Sequence, residues 1–571
     1  MASIKSITLV LSVILVIVGI SLGLYFGLRE NSDEDENIPE NVKILKNYIY
    51  KDDGYFQWSR TAWSDRQISQ DEAEYKNLLN LTSSEHIDLI RMTSQKWLNS
   101  SYVSKSIWEH NVWMCVPKKS NTNADLTALL WIENGDNKEF EPKFNDFEKL
   151  ICRVGAAMNS VVIYLKEIPN EPVVFYDDPT LTPVKEDGEI AYTWRAFLRD
   201  GAEPEVLLRF PMVKAAVKAM DMASEYVQKY GFRDQPLSKV SVGGGSKRAW
   251  TSWITAAVDP RIELLFPVVD DLVDLQTTLH NHYKSLGGWS FALWEYWSRD
   301  IMYYLDDPKF KEMCTYIDPF YHKEVLKKIP KQIVSASGDF LFLTDDANSW
   351  WDKEWMENSY LRILPNVQHG GANHAKYTNQ AAISFQAMQQ AMVLGYDLPE
   401  FDWENDAEEG RIVGCTDIEP HQIVIWHGVS DSPIGRDFRL VRRKEGSIVP
   451  PSPNLQSDPV ESTEQNDEIF EPTVVCNIRD LPVPETNILT LPRPNKACQS
   501  IEKSASEKKF CYTLKNIKPD VSGNFSATFM EVTWVQEPNS KHFTVTGGAL
   551  VLPDRYDYED CSGHACNGTL V

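Results

Sequence analysis

Val240-Ser-Val-Gly-Gly-Gly-Ser246-Lys-Arg-Ala-Trp250 decides how this chain is read. A short apolar run enters three glycines, a serine follows, and a helical pattern continues to Val258. A strand that turns directly into a helix leaves little room beside the turn, so small residues must flank the serine. In such a nucleophile elbow Ser246 stands near the positive end of the helix, and the backbone N–H of Lys247 is an oxyanion donor. The strict Gly-x-Ser-x-Gly spacing occurs at Gly19-Ile-Ser21-Leu-Gly23, inside an apolar run where it carries no chemistry. Gly244-Gly-Ser246-Lys-Arg248 lacks the last glycine, so the strand–turn–helix context carries the reading. A glycine-rich turn with an inert serine is the bland alternative.

A serine nucleophile needs a histidine base and an orienting acid, which follow it in the order serine, acid, histidine in α/β-hydrolases. Gln332-Ile-Val-Ser-Ala-Ser-Gly338-Asp339 is a strand pattern ending in an acid, and Asp339 is the favoured candidate over Asp345 and Asp346. Tyr360-Leu-Arg-Ile-Leu-Pro-Asn-Val-Gln-His369-Gly370 is the next strand and loop; His369 is the candidate base, with His374 second. A further oxyanion donor is expected after an earlier strand, at Trp131-Ile-Glu-Asn134-Gly135-Asp136, with Gly135 letting the backbone approach. Such chemistry needs no metal and no organic cofactor.

Working outward, buried parallel strands are expected at Ala128–Ile132, Ser160–Leu165, Val240–Val242, Leu264–Val269, Gln332–Ala336 and Tyr360–Leu364. Pro211–Tyr230 reads as a helix, with Pro211 at its start and Gly231 past its end. This alternation predicts an α/β fold, a mostly parallel sheet with helices on both faces, over 41–400. Its aromatic-rich stretch near 270–330 reads as a helical insertion over the site. From 401 to 571 short runs such as Gln422–Trp426, Asp437–Val441 and His542–Thr546 predict a smaller β-sandwich-like domain.

Ile7–Leu28 is an uncharged apolar run, about 33 Å as a helix, enough to cross a bilayer. Lys5 precedes it and the acidic stretch 29–40 follows, so 1–28 is expected as a signal-anchor with the bulk of the chain extracellular or lumenal. A cleaved signal peptide, and so a secreted protein, is the rival. Asn80, Asn99, Asn524 and Asn567 are N-glycosylation candidates. Nine cysteines without a CxxC pair point to disulfides, with at least one thiol left over. A net charge of -25 repels phosphate backbones, so nucleic acid is not an expected partner.

Several blocks resemble the family of PhoPQ-activated pathogenicity-related proteins. They are Gly244-Gly-Ser-Lys-Arg-Ala-Trp250, Thr255-Ala-Ala-Val-Asp-Pro-Arg261, Ile168–Pro172, Glu186-Asp187 with Ala191–Trp194, Pro211–Ala215, Gly338-Asp339, Leu364–Asn366 with His369, and Arg436-Asp-Phe-Arg439. The resemblance covers most of 41–555 and implies an α/β-hydrolase domain followed by a β-rich one, with Ser246, Asp339 and His369 at the triad positions. Ala249 replaces a family glycine, and Glu133-Asn-Gly-Asp136 is more acidic than the family loop. One branch of the family is associated with secreted signals that restrain proliferation. Two functions are therefore expected in competition. One is a serine hydrolase acting on a small-molecule or peptide substrate; the other is a non-catalytic ectodomain that binds a protein partner at the cell surface.

Overall fold

The structure is a computed structural model. It describes residues 39–64, 72–119, 127–137, 143–370, 375–443, 463–465, 468–479, 500–505, 509–536 and 541–571. The expected membrane segment Ile7–Leu28, most of the acidic stretch 29–40, and His374 lie outside the described residues. Among the described residues no helix is long and apolar enough to cross a membrane. The chain forms two compact units, Met1–Asn47 and Tyr48–Val571. The described part of the first, 39–47, contains the start of the helix Glu40–Tyr50. All that follows concerns the second.

Nine strands form the part that positions the site. They are β1 (Gln57–Arg60), β2 (His86–Lys96), β3 (Ile107–Val116), β4 (Thr127–Ile132), β5 (Val161–Leu165), β6 (Lys239–Gly245), β7 (Ile262–Val268), β8 (Lys331–Ala336) and β9 (Ser359–Leu364). β4, β5, β8 and β9 are buried along their whole length, β4 and β5 as largely apolar runs covered on both faces, β8 and β9 with Lys331, Gln332 and Arg362 buried among their apolar residues. The order across the sheet is β1-β2-β3-β5-β4-β6-β7-β8-β9. β1, β2, β3 and β5 pair antiparallel in turn, and from β5 to β9 every pairing is parallel. Parallel neighbours need crossovers. Asp146–Ala157 links β4 to β5, Arg209–Lys229 precedes β6, and Lys247–Val258 links β6 to β7. This is the α/β-hydrolase-like fold with a mixed sheet.

The chain leaves β4 for β5 on one side and later returns to place β6 on the other. Such a switch in winding direction opens a crevice at the carboxyl ends of β4 and β6. The helix expected at Pro211–Tyr230 runs from Arg209 to Lys229, with Pro211 inside its first turn, and Gly231 follows at φ +72°. Asp146–Ala157 starts on a reciprocal cap, Asn145 accepting from the Glu148 N–H and Glu148 from the Asn145 N–H.

The C-terminal part departs from the expected separate sandwich. Its strands are β10 (Phe401–Asp406), β11 (Arg411–Thr416), β12 (Gln422–Val429), β13 (Val441–Arg443), β14 (Thr463–Gln465), β15 (Phe470–Asn477), β16 (Ile501–Ala505), β17 (Phe510–Leu514), β18 (Ser526–Gln536), β19 (Lys541–Thr546) and β20 (Leu550–Leu552). β19 pairs with β9 through Thr546 and Leu361, and β18, β12 and β15 carry the same sheet onward. An uncovered β9 would leave open N–H and C=O groups and a buried Arg362 without its Glu531 partner on β18, and these strands close that edge. β10, β11, β17 and β16 form a second, antiparallel sheet, cross-linked at the facing pair Cys415–Cys511. Its Ile412 and Tyr512 share one buried core with Ile423, Ile425, Met530, Val532 and Trp534. A sandwich does form, but one of its layers is the continuation of the main sheet itself. Asp437–Leu440, expected in a strand, is instead a side-chain-held turn, and the strand begins at Val441. The Leu440 N–H donates to Gly338 O, at the loop after β8.

Cys115–Cys152 ties β3 to Asp146–Ala157, and Cys561–Cys566 closes a short loop. Cys476 is also disulfide-bonded. The left-over thiol is Cys314, buried in the insertion between β7 and β8.

Candidate active site

Ser246 sits between β6 and Lys247–Val258 at φ 54°, ψ -128°, a backbone region that side chains avoid. Holding a residue there costs about 1–3 kcal/mol, and the surrounding turn must supply it. The Ser246 N–H donates to Val268 O at 2.8 Å, and Ser246 O accepts from the Trp250 N–H at 3.1 Å. Two of the three glycines are required by space. A Cβ on Gly243 would lie 2.9 Å from Phe266 O, and one on Gly244 would lie 2.9 Å from the Arg248 backbone. One on Gly245 would meet nothing within 4 Å.

The structure brings the three singled-out side chains together. His369 Nε2 lies 2.7 Å from Ser246 Oγ. His369 Nδ1 lies 2.8 and 3.1 Å from the two oxygens of Asp339. With Nδ1–H donating to the carboxylate, Nε2 is left to accept from the serine hydroxyl. Asp339 is buried, and its Oδ1 also accepts the N–H of Leu341 at 2.7 Å. The rings of Phe340 and Phe342 stand 5.3 and 5.5 Å from the imidazole. The rival acids are engaged elsewhere. Asp345 pairs with Arg436, and Asp346 accepts the Leu343 N–H at 2.8 Å.

Lys247 is the first residue of its helix, directly after Ser246. Gly135 lies in the loop after β4 at φ +157°, and a Cβ there would press on Glu167 N at 3.2 Å. The two carboxylates of that acidic loop turn aside. Glu133 accepts from Trp131 Nε1 at 3.0 Å, Tyr164 OH at 3.1 Å and the Asn134 N–H at 3.0 Å, while Asp136 pairs with Lys185 at 2.9 Å. Their charge is thus partly compensated beside the place where an oxyanion would form.

Behind the elbow lies a buried ionic cluster that the sequence reading did not assign. Lys247 Nζ meets Glu186 at 2.8 Å and Asp187 at 2.9 Å. Arg248 pairs with Glu186, and its Nε donates to Ile168 O at 2.6 Å. Burial opposes the Glu186 charge, but Arg248 and Lys247 carry its pKa well below the usual range. Glu171 accepts the Glu186 N–H at 2.6 Å; burial, then the neighbouring Glu186 charge, raise its pKa to about 8. Glu189 is fully buried, and burial followed by Glu171 and Glu186 pushes it up as well. From the far side Arg209 donates to Lys247 O at 2.6 Å and Thr251 Oγ1 at 2.7 Å, over the Trp250 ring. The signal for this cluster was the dipeptide Lys247-Arg248 directly after a serine in an otherwise uncharged helix.

Of the glycosylation candidates, Asn80, Asn99 and Asn524 are exposed. Asn567 is half-buried, and its carbonyl accepts from the Trp297 indole.

The family model described as PhoPQ-activated pathogenicity-related protein matches residues 65–439. Autocrine proliferation repressor protein A of Dictyostelium discoideum is 30% identical over 361 residues, 62% of this chain and 70% of that protein. Among solved structures, acetyl xylan esterase 1 from Thermoanaerobacterium sp. JW/SL YS485 is 12% identical at a TM-score of 0.38, covering 62% of this chain and 94% of the esterase. The acylaminoacyl peptidase of Pyrococcus horikoshii is 10% identical at 0.36, covering 58% of this chain and 45% of the peptidase. These two likenesses are too distant to bear on activity, and the fold rests on the strand order above.

Proposed function

The chain belongs to the family of PhoPQ-activated pathogenicity-related proteins, and from that premise we propose that it is an extracytoplasmic serine hydrolase of esterase or peptidase type. The observation that carries this reading is the chain of contacts Ser246 Oγ to His369 to Asp339 at 2.7 and 2.8 Å, on a serine with strained backbone. Ser246 Oγ attacks the substrate carbonyl while His369 Nε2 takes its proton. Asp339 keeps the imidazole in the competent tautomer and balances the imidazolium. The N–H groups of Lys247 and Gly135 hold the oxyanion, and the proton on His369 is then handed to the leaving group. Water repeats the cycle on the acyl-enzyme. The disulfides Cys115–Cys152, Cys415–Cys511 and Cys561–Cys566 support an oxidising compartment, and the apolar run Ile7–Leu28 supports a membrane anchor.

The name of the Dictyostelium discoideum relative favours a second reading, a non-catalytic ectodomain that restrains proliferation through a partner at the cell surface. A membrane-impermeant fluorophosphonate applied to intact cells separates the two. The hydrolase reading expects covalent labelling that disappears in Ser246→Ala, with ester turnover falling by about 10³ or more. An unlabelled, folded protein would move the function to binding.

A further inference from the structure

With Ser246 as the nucleophile just proposed, we infer that the loop after β8 and Phe291 of the insertion between β7 and β8 form a leaving-group subsite selective for esters of aromatic alcohols. The imidazole that takes the serine proton must return it to the departing oxygen, so the leaving group lies on the His369 side of the scissile bond. That side is lined by rings. Phe340 is 5.3 Å from His369 and tilted by 48°, and Phe342 is 5.5 Å away at 58°. Phe291, from the insertion between β7 and β8, lies 5.8 Å from Phe340 at 33°. Phe342 is buried, whereas Phe340 and Phe291 are half-buried and keep surface for a ligand.

These rings are held rather than loose. Asp339 Oδ1 accepts the N–H of Leu341, so the turn that presents the acid also sets the backbone of the two phenylalanines beside it. Ser290 Oγ donates to Phe340 O, which joins the insertion to the same loop next to Phe291. The charged side chains nearby have partners: Asp339 holds His369, Asp345 meets Arg436, and Lys247 is engaged by Glu186 and Asp187. Among the described residues, the surface beside His369 is therefore aromatic rather than ionic. A flat ring stacks offset or edge-on against such a surface. A flexible chain of equal area must first give up its rotamers.

The test uses the full-length protein and two acetates whose alcohols are equally acidic, one a phenol and one a fluoroalkyl alcohol. Matching acidity cancels the chemistry of departure, so the ratio of their kcat/KM reports binding of the leaving group in the transition state. The wild type is expected to favour the aryl acetate about tenfold. Phe340→Ala and Phe291→Ala are each expected to pull the ratio toward one, and Phe340→Tyr to keep it. A merely structural disturbance of His369 slows both esters alike and leaves the ratio in place. Phe340→Leu keeps the apolar bulk, loses the ring, and carries the same expectation should the alanine variants fail to fold. A wild-type ratio near one, or a ratio unmoved by the substitutions while Ser246 is still labelled, overturns the subsite and leaves the hydrolase. No labelling and no turnover of either ester overturns both.

Discussion

On the β6 side of the crevice the serine is backed by buried ions. On the β8–β9 side the acid is held by main-chain hydrogen bonds, and the histidine by that acid and two aromatic rings. Lys247, Arg248, Glu186 and Asp187 pair with one another at the first, with Glu171 and Glu189 pressed against them. At the second, Gly338 packs against Leu440, the Leu440 N–H donates to Gly338 O, and Asp339 accepts from the turn that follows it. The contrast teaches what each side is sensitive to. Desolvated ions punish the loss of a partner and respond to pH, whereas a packed loop responds to volume.

The largest expected effect is on the ionic side. Glu186→Gln leaves Lys247 and Arg248 without their shared carboxylate and should cost about 3–5 kcal/mol, read from the midpoint of chemical unfolding. A loss below about 1 kcal/mol would show that Asp187 compensates both cations and would blur the comparison. On the packed side, a Cβ at Gly338 would sit 2.2 Å from Leu440 Cγ. Gly338→Ala should cost about 1–3 kcal/mol by overpacking, and adding Leu440→Ala should recover part of that loss. Failure of the second change to help would mean that the loop is held by its hydrogen bonds alone.

A pH experiment sharpens the contrast. The folded-state pKa of Glu171 is raised to about 8 from 4.5. The folded protein therefore binds more protons than the unfolded chain between those values. The corresponding stability is fully present below the lower value and is lost as pH rises through the upper one. Glu171→Gln should match the wild type in melting temperature near pH 4 and exceed it by a growing margin up to about pH 9. A constant difference across this range would remove Glu171 from the ionic side's pH response. The smallest effect concerns the elbow. Gly245→Ala should change stability by no more than about 0.5 kcal/mol, because its Cβ meets nothing, whereas Gly244→Ala must displace the Arg248 backbone. Equal losses in the two variants would mean that conformational freedom, not space, makes these residues glycine.

The three candidate positions were legible because each is marked locally. Ser246, Asp339 and His369 each follow an apolar strand, and the carboxyl ends of parallel strands lie on one edge. The resemblance to the family pointed to the same three positions. The ionic cluster was not legible, because Glu186 and Arg248 are separated by 62 residues and nothing local distinguishes a buried carboxylate from a solvated one. The C-terminal strands read as strands, but their alternation says nothing about which edge they cover. β19 therefore appeared as part of a separate layer until its pairing with β9 was seen.

By itself the sequence determined the alternation of buried strands and helices, the sharp turn at Ser246, and the chain order of serine, acid and histidine. Burial runs, glycine positions and strand ends are set within a few residues of one another. Tertiary structure alone decided which cysteine stays free, which charges compensate Lys247 and Arg248, how the last third joins the main sheet, and which rings stand beside His369. Those outcomes depend on chain segments that are distant in sequence and meet only when the sheet closes over its core.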